Sequence, residues 1–150
     1  MTSDAPSSIV ETYREWQVRC LRQDGGEQLC WMVQSLASNE TNARLMQVEL
    51  VFQENELHMI VLTPLGVLLT NDLTYRIDEG EARRFPYRTC IDSGCIGRHQ
   101  VSADDLAALR RGAILTVTLT LEKNSQIFDV QFSLSGFTAA NNRLRALSLE

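Results

Sequence analysis

Apolar and polar positions alternate with period two through much of this chain. From Ala113 to Leu121 the apolar row Leu115, Val117, Leu119 and Leu121 is interleaved with Thr116, Thr118 and Thr120. From Ile127 to Leu134 the row Phe128, Val130, Phe132 and Leu134 is interleaved with Asp129, Gln131 and Ser133. Alternation rich in β-branched and aromatic residues predicts half-buried antiparallel strands. The polar link Glu122 to Gln126 then closes a hairpin. A second hairpin is predicted from Arg44–Gln53 and Leu57–Thr63, joined through Glu54-Asn55-Glu56, with Met46, Val48, Leu50 and Phe52 as its inward row.

The same reading extends to both ends. Trp16, Val18 and Cys20 share one face of an opening strand, and Gln28 to Leu36 returns beside it, bringing Cys30 near Cys20. Leu73–Ile77 and Phe85–Cys90 are shorter strands separated by Asp78-Glu79-Gly80-Glu81. One helix is signalled by Ser102 as N-cap, Asp105 at N3, apolar Leu106 and Leu109, and Gly112 past its end. A last turn or short helix follows Gly136-Phe137, with Leu144 and Leu147 packing back. Many short strands with little helix point to a mainly-β sandwich.

Length and charge narrow the possibilities. A chain of 150 residues makes one ordinary domain, able to bury roughly 68–70% of its unfolded surface. The net charge of −5 and pI near 5.1 argue against a nucleic-acid partner, which needs a basic face. No apolar run approaches the roughly 20 residues of a membrane span; the longest, Leu57 to Leu69, is broken by His58, Thr63, Pro64 and Gly66. The polar opening Met1–Ser8 reads as a mature N-terminus behind an added start Met, with its leader removed, and residues 1–12 are expected to be flexible ahead of a domain spanning 13–150.

The four cysteines fall into two close pairs, Cys20 with Cys30 and Cys90 with Cys95, each bracketing turn residues: Asp24-Gly25-Gly26 and Asp92-Ser93-Gly94. That pattern reads as two local disulfides and so as an oxidising compartment reached by export. Zinc is a rival, but nine and four intervening residues fit poorly with the short spacing of structural zinc knuckles. A redox-active pair at Cys90 and Cys95 is another, although catalytic dithiols usually enclose two residues at a helix N-terminus.

Other chemistry-bearing residues are sparse. His58 lies in an apolar strand with Glu56 two positions before it, and His99, next to Arg98, is expected to be exposed. No Gly-x-Ser-x-Gly elbow supports a hydrolase, so the expectation is a protein that is not an enzyme. Arg83, Arg84, Arg88 and Arg98 are the one basic concentration, either an anion-contacting surface or a solvated strand edge neutralised by Asp78, Glu79 and Glu81. Trp31 has parity opposite to Cys30 and so faces outward as a contact residue. Asn39-Glu40-Thr41 spells an N-glycosylation sequon.

An ordered set of segments resembles the invasion-associated locus B family, exported proteins of mainly alphaproteobacteria. The set runs from Tyr13–Cys20 and Cys30 through Pro64-Leu65-Gly66-Val67 to Thr89-Cys90-Ile91-Asp92-Ser93-Gly94-Cys95. It ends with Leu109-Arg110-Arg111-Gly112 and Ser135–Ala140. The departures are mild: Ile96-Gly97 stands where a small residue such as Ala is expected, and Thr63 where an aliphatic is common. The resemblance implies an immunoglobulin-like antiparallel β-sandwich, a periplasmic or envelope location and no known cofactor. The founding member is associated with invasion of red blood cells. Action through contact with a protein, a surface or a second copy is therefore expected, with a small-ligand carrier between the sheets or a thiol-disulfide protein as alternatives.

Overall fold

The computed structural model describes residues 8–22, 26–37 and 44–148. The Asp24-Gly25 turn, the Asn39–Thr41 sequon and the terminal segments lie outside the described residues. Two antiparallel sheets face each other as a β-sandwich. The larger holds β1 (Ser8–Tyr13), β2 (Trp16–Arg22), β3 (Gln28–Ala37), β4 (Arg44–Gln53) and β5 (Glu56–Thr63), with β8 (Tyr87–Ile91) and β9 (Gly94–Gln100) added beyond β5 in the order β5-β9-β8. The smaller has the order β11-β10-β6-β7, built from β6 (Leu73–Ile77), β7 (Arg83–Phe85), β10 (Ile114–Thr120) and β11 (Ile127–Ser133). Helix α1 (Ala103–Arg111) precedes β10, and α2 (Phe137–Ser148) packs on β2 and β3 beside the smaller sheet.

Period two places the core. Val48 and Leu50 of β4 and Met59 and Val61 of β5 meet Tyr75 of β6, Leu115 and Val117 of β10 and Phe132 of β11, all buried. Trp16 is fully buried and meets Phe137 of α2 edge to face, ring centroids 5.4 Å apart. Helix α1 starts as its sequence requires: Ser102 Oγ accepts from the Asp105 amide at 3.1 Å, and the Gly112 amide closes the last turn on Ala108 O at 2.8 Å.

Three features depart from the sequence reading. Residues 8–12, expected to be flexible, pair with β2 as an edge strand from Ser8↔Leu21 to Tyr13↔Trp16. The expected Phe85–Cys90 strand divides at Pro86: β7 joins the smaller sheet and β8 the larger, because proline cannot donate to a ladder and the chain crosses between sheets there. Strand β9 was not anticipated at all, yet it lies between β5 and β8. Its inward positions are Cys95, Gly97 and a half-buried His99, so it lacks the apolar row that marks its neighbours.

Candidate functional site

Both cysteine pairs lie in register across neighbouring strands. Cys20 of β2 faces Cys30 of β3, and Cys90 of β8 faces Cys95 of β9 across the Asp92-Ser93 turn. Each pair is bonded in the structure. Their surroundings differ: Cys20 is 1% exposed and packs in the core, whereas Cys90 is exposed with its partner Cys95 buried.

The outer face of the larger sheet carries Trp31. Alternation turns Cys30 and Met32 inward and Trp31 outward, where the indole is half-buried. Trp31 is the cross-strand neighbour of Arg19, while Ile60 pairs with Glu49 on one side and Arg98 on the other. Leu29, Trp31, Val51, Gln53, Ile60 and Arg98 line a shallow depression of about 320 Å³. The Arg98 guanidinium crosses it to donate to Gln53 Oε1. This side therefore presents an aromatic and aliphatic floor with a cation tethered at its rim, the mixture that makes contact residues effective.

The other arginines do not join Arg98. Arg83 of β7 donates from Nε and Nη2 to Asp105 Oδ1, both at 3.3 Å, and pairs with Glu81. Arg84 and Arg88 are exposed on β7 and β8, which belong to different sheets. The basic concentration of the sequence is thus distributed, and one member is neutralised.

A second cluster, at the α1 end of the sandwich, went unrecognised in the sequence. Tyr75 Oη donates to Asp105 Oδ2 at 2.5 Å, and the same carboxylate holds Arg83. Burial, then the bond to Asp105, lifts the Tyr75 phenol far above its ordinary range. Tyr75 is therefore a permanent donor rather than a base, and the cluster clamps α1 to the smaller sheet. His99 enters this group, its ring 5.3 Å from Tyr75 and 5.5 Å from Phe85. The exposed His99 expected from sequence is corrected: β9 alternation turns it inward while Arg98 faces out. Burial lowers its pKa against a smaller upward pull from Asp105. Asp105 was legible only as an N3 capping residue, since its partners come from strands 22 and 30 positions away.

No helix among the described residues is long and apolar enough to cross a membrane. The family model for Invasion associated locus B (IalB) protein matches residues 16–145. An invasion protein B homolog of Brucella abortus is 32% identical over 143 residues, covering 95% of this chain and 82% of that protein. Invasion protein B of Bartonella bacilliformis is 25% identical over 144 residues, covering 94% and 77%. Among solved structures, the crystal structure of invasion associated protein B from Bartonella henselae superposes with a TM-score of 0.84 at 27% identity, covering 93% of this chain and 97% of that one. With the two-sheet architecture, the two bonded cysteine pairs and a match spanning nearly the whole domain, the chain belongs to the invasion-associated locus B family.

Proposed function

We propose that this chain is an exported, non-enzymatic domain of the cell envelope, working through contact with a protein or surface at the outer face around Trp31. The observation that carries this reading is the half-buried indole sharing one depression with Leu29, Val51, Ile60 and the tethered Arg98. Two disulfides support an oxidising location. The relatives from Brucella and Bartonella are named for invasion, and that likeness supports a share in host-cell invasion for this chain.

The test is a photo-cross-linking amino acid at position 31 of the exported chain, compared with one at Lys123 in the loop that joins β10 to β11. One discrete adduct from position 31, identified by mass spectrometry and lost on Ile60→Glu, is the expected result. Equal labelling from both positions, or none from position 31, would sink the reading.

A second reading has one observation in its favour: the exposure of Cys90 leaves that bond open to an attacking thiolate. A thiol-disulfide role requires a reduction potential well above the roughly −300 mV that bounds structural disulfides. A potential below that value removes it.

A further inference from the structure

A different part of the molecule, independent of Trp31, supports an inference of its own. Strand β11 is the outermost strand of the smaller sheet. Its register against β10 runs from Ile114↔Ser133 to Thr120↔Ile127, and it is flanked by the bonds Leu134 N to Ala113 O and Leu121 N to Gln126 O. Antiparallel pairs alternate between bonded and non-bonded. The amides and carbonyls of Phe128, Val130 and Phe132 therefore face β10, and those of Ile127, Asp129, Gln131 and Ser133 face away.

The chain closes one end of this edge itself. Ser133 O accepts from Trp16 Nε1 at 2.9 Å and from Gln34 Nε2 at 2.8 Å, and Ser135 O accepts from the Glu15 amide at 3.2 Å. The other end is open: the backbone groups of Ile127, Asp129 and Gln131 receive no hydrogen bond from the described residues. Beside that open end lies a groove of about 560 Å³ between the sheets. Leu45 and Met46 of β4, Pro64-Leu65, and Leu119 with Phe128 form most of its wall. Leu45, Leu65 and Phe128 are 41%, 55% and 40% exposed, so the apolar wall is reached from solvent.

Backbone donors and acceptors without partners among the described residues, lying along an apolar groove, are what strand addition uses: main-chain bonds provide affinity, and alternate side chains fill the groove. Among the described residues that line the groove the one charged side chain is Asp129, whose Oδ1 accepts from Thr118 Oγ1 at 2.6 Å on the outer face of the sheet. On an added strand, the residue opposite Asp129 would share that outer face, and its two neighbours would point into the groove. We propose that the Ile127–Gln131 edge receives an extended segment of another polypeptide, with a cationic residue opposite Asp129 flanked by apolar residues that enter the groove. A second copy of this chain paired in the two-fold register about Asp129 is disfavoured, because that register sets one carboxylate against another.

The probe is a capped synthetic heptapeptide of alternating Leu and Lys, added to the whole disulfide-bonded chain, with amide exchange followed by NMR. Slowed exchange at Asp129 and Gln131 is expected. Binding should be lost when the alternate peptide amides that face β11 are N-methylated. Asp129→Lys should weaken the Leu/Lys peptide roughly five-fold or more and favour an alternating Leu/Glu peptide instead. Gln131→Pro removes a solvent-facing donor that an edge strand can spare; it should abolish binding with the melting temperature unchanged. Binding indifferent to N-methylation or to the Asp129 charge overturns the proposal. So does the absence of protection at saturating peptide, or protection present without peptide that disappears on dilution, which would mean a second copy covers the edge.

Discussion

The Tyr75 hydroxyl donates to Asp105 Oδ2 at 2.5 Å, joining a strand of the smaller sheet to the first turn of α1. Because Asp105 is also bonded by Arg83, one carboxylate holds a strand, its edge neighbour and a helix together. Removing it with Asp105→Ala leaves the Tyr75 phenol buried without an acceptor, an expected loss of about 1–3 kcal/mol. Tyr75→Phe in the Asp105→Ala background should cost less than Tyr75→Phe alone. Urea melts of the double-mutant cycle measure this coupling, and additive losses would refute the clamp.

The pH dependence follows from His99. Its folded pKa lies below the ordinary histidine value of 6.5 because burial disfavours the imidazolium. Above about pH 6.5 the ring is neutral in both states, so its contribution is fully present. As pH falls below that value the unfolded chain takes up the proton first, and stability declines until the folded-state pKa is passed. His99→Gln should flatten the stability curve between about pH 6.5 and the carboxylate range. An unchanged slope in that window would show that other groups control it.

The two disulfides should separate under graded reduction. Cys90 is exposed whereas Cys20 is 1% exposed, so an attacking thiolate reaches the Cys90–Cys95 bond first. Alkylation followed by peptide mapping reads the order. Replacing both cysteines of a pair by serine should cost about 3 kcal/mol for Cys20 and Cys30, and about 2 kcal/mol for Cys90 and Cys95, on loop entropy. The sequence separations are 10 and 5.

Gly97 of the larger sheet lies under Leu73 and Phe85 of the smaller one. A Cβ there would stand 2.5 Å from Leu73 Cδ1 and 2.9 Å from Phe85 Cε2. Gly97→Ala should therefore destabilise by about 1–3 kcal/mol through overpacking. Adding Leu73→Ala should recover part of that loss, and thermal melts of the single and double variants decide.

The Tyr87 hydroxyl is buried without a hydrogen-bond partner among the described residues. Burial pushes its pKa up to about 12, against a smaller downward pull from Thr63. Thr63 Oγ1 is already engaged with the Pro64 and Cys95 carbonyls at 3.0 and 3.3 Å. Tyr87→Phe should be neutral or stabilising by up to about 1 kcal/mol, since no bond is lost and an orphaned polar group is removed. A clear drop in melting temperature would reveal a partner.

The strands that the sequence displayed are those whose inward positions are apolar. The hairpin from Ala113 to Leu134 was legible because Leu115, Val117, Phe128 and Phe132 repeat with period two on a face that the larger sheet covers. Strand β9 was not, because Leu73 and Phe85 press on Gly97 and leave no room for an aliphatic row. Strand β1 was hidden by Glu11, a charged residue on its half-buried face, where Arg143 of α2 donates to it at 2.9 Å. That bond, followed by one from Tyr13, holds the Glu11 carboxyl below its ordinary range. The outward face of Trp31 followed from parity alone, but its sharing of one depression with Arg98 did not, because two intervening strands had first to be set in register.

Local pattern by itself determined most strands, the first helix with its Ser102 cap, and which cysteines lie near each other, because these depend on neighbours within one turn or hairpin. The tertiary structure decided which sheet each strand joins, which arginine is neutralised, and where an edge is left without partners among the described residues. Trp16 and Ser133 are 117 positions apart, yet their hydrogen bond helps close one end of β11. Alternation along a strand states that one face is buried and says nothing of what buries it. The covering residues come from distant parts of the chain, so only packing of the two sheets assigns those partners.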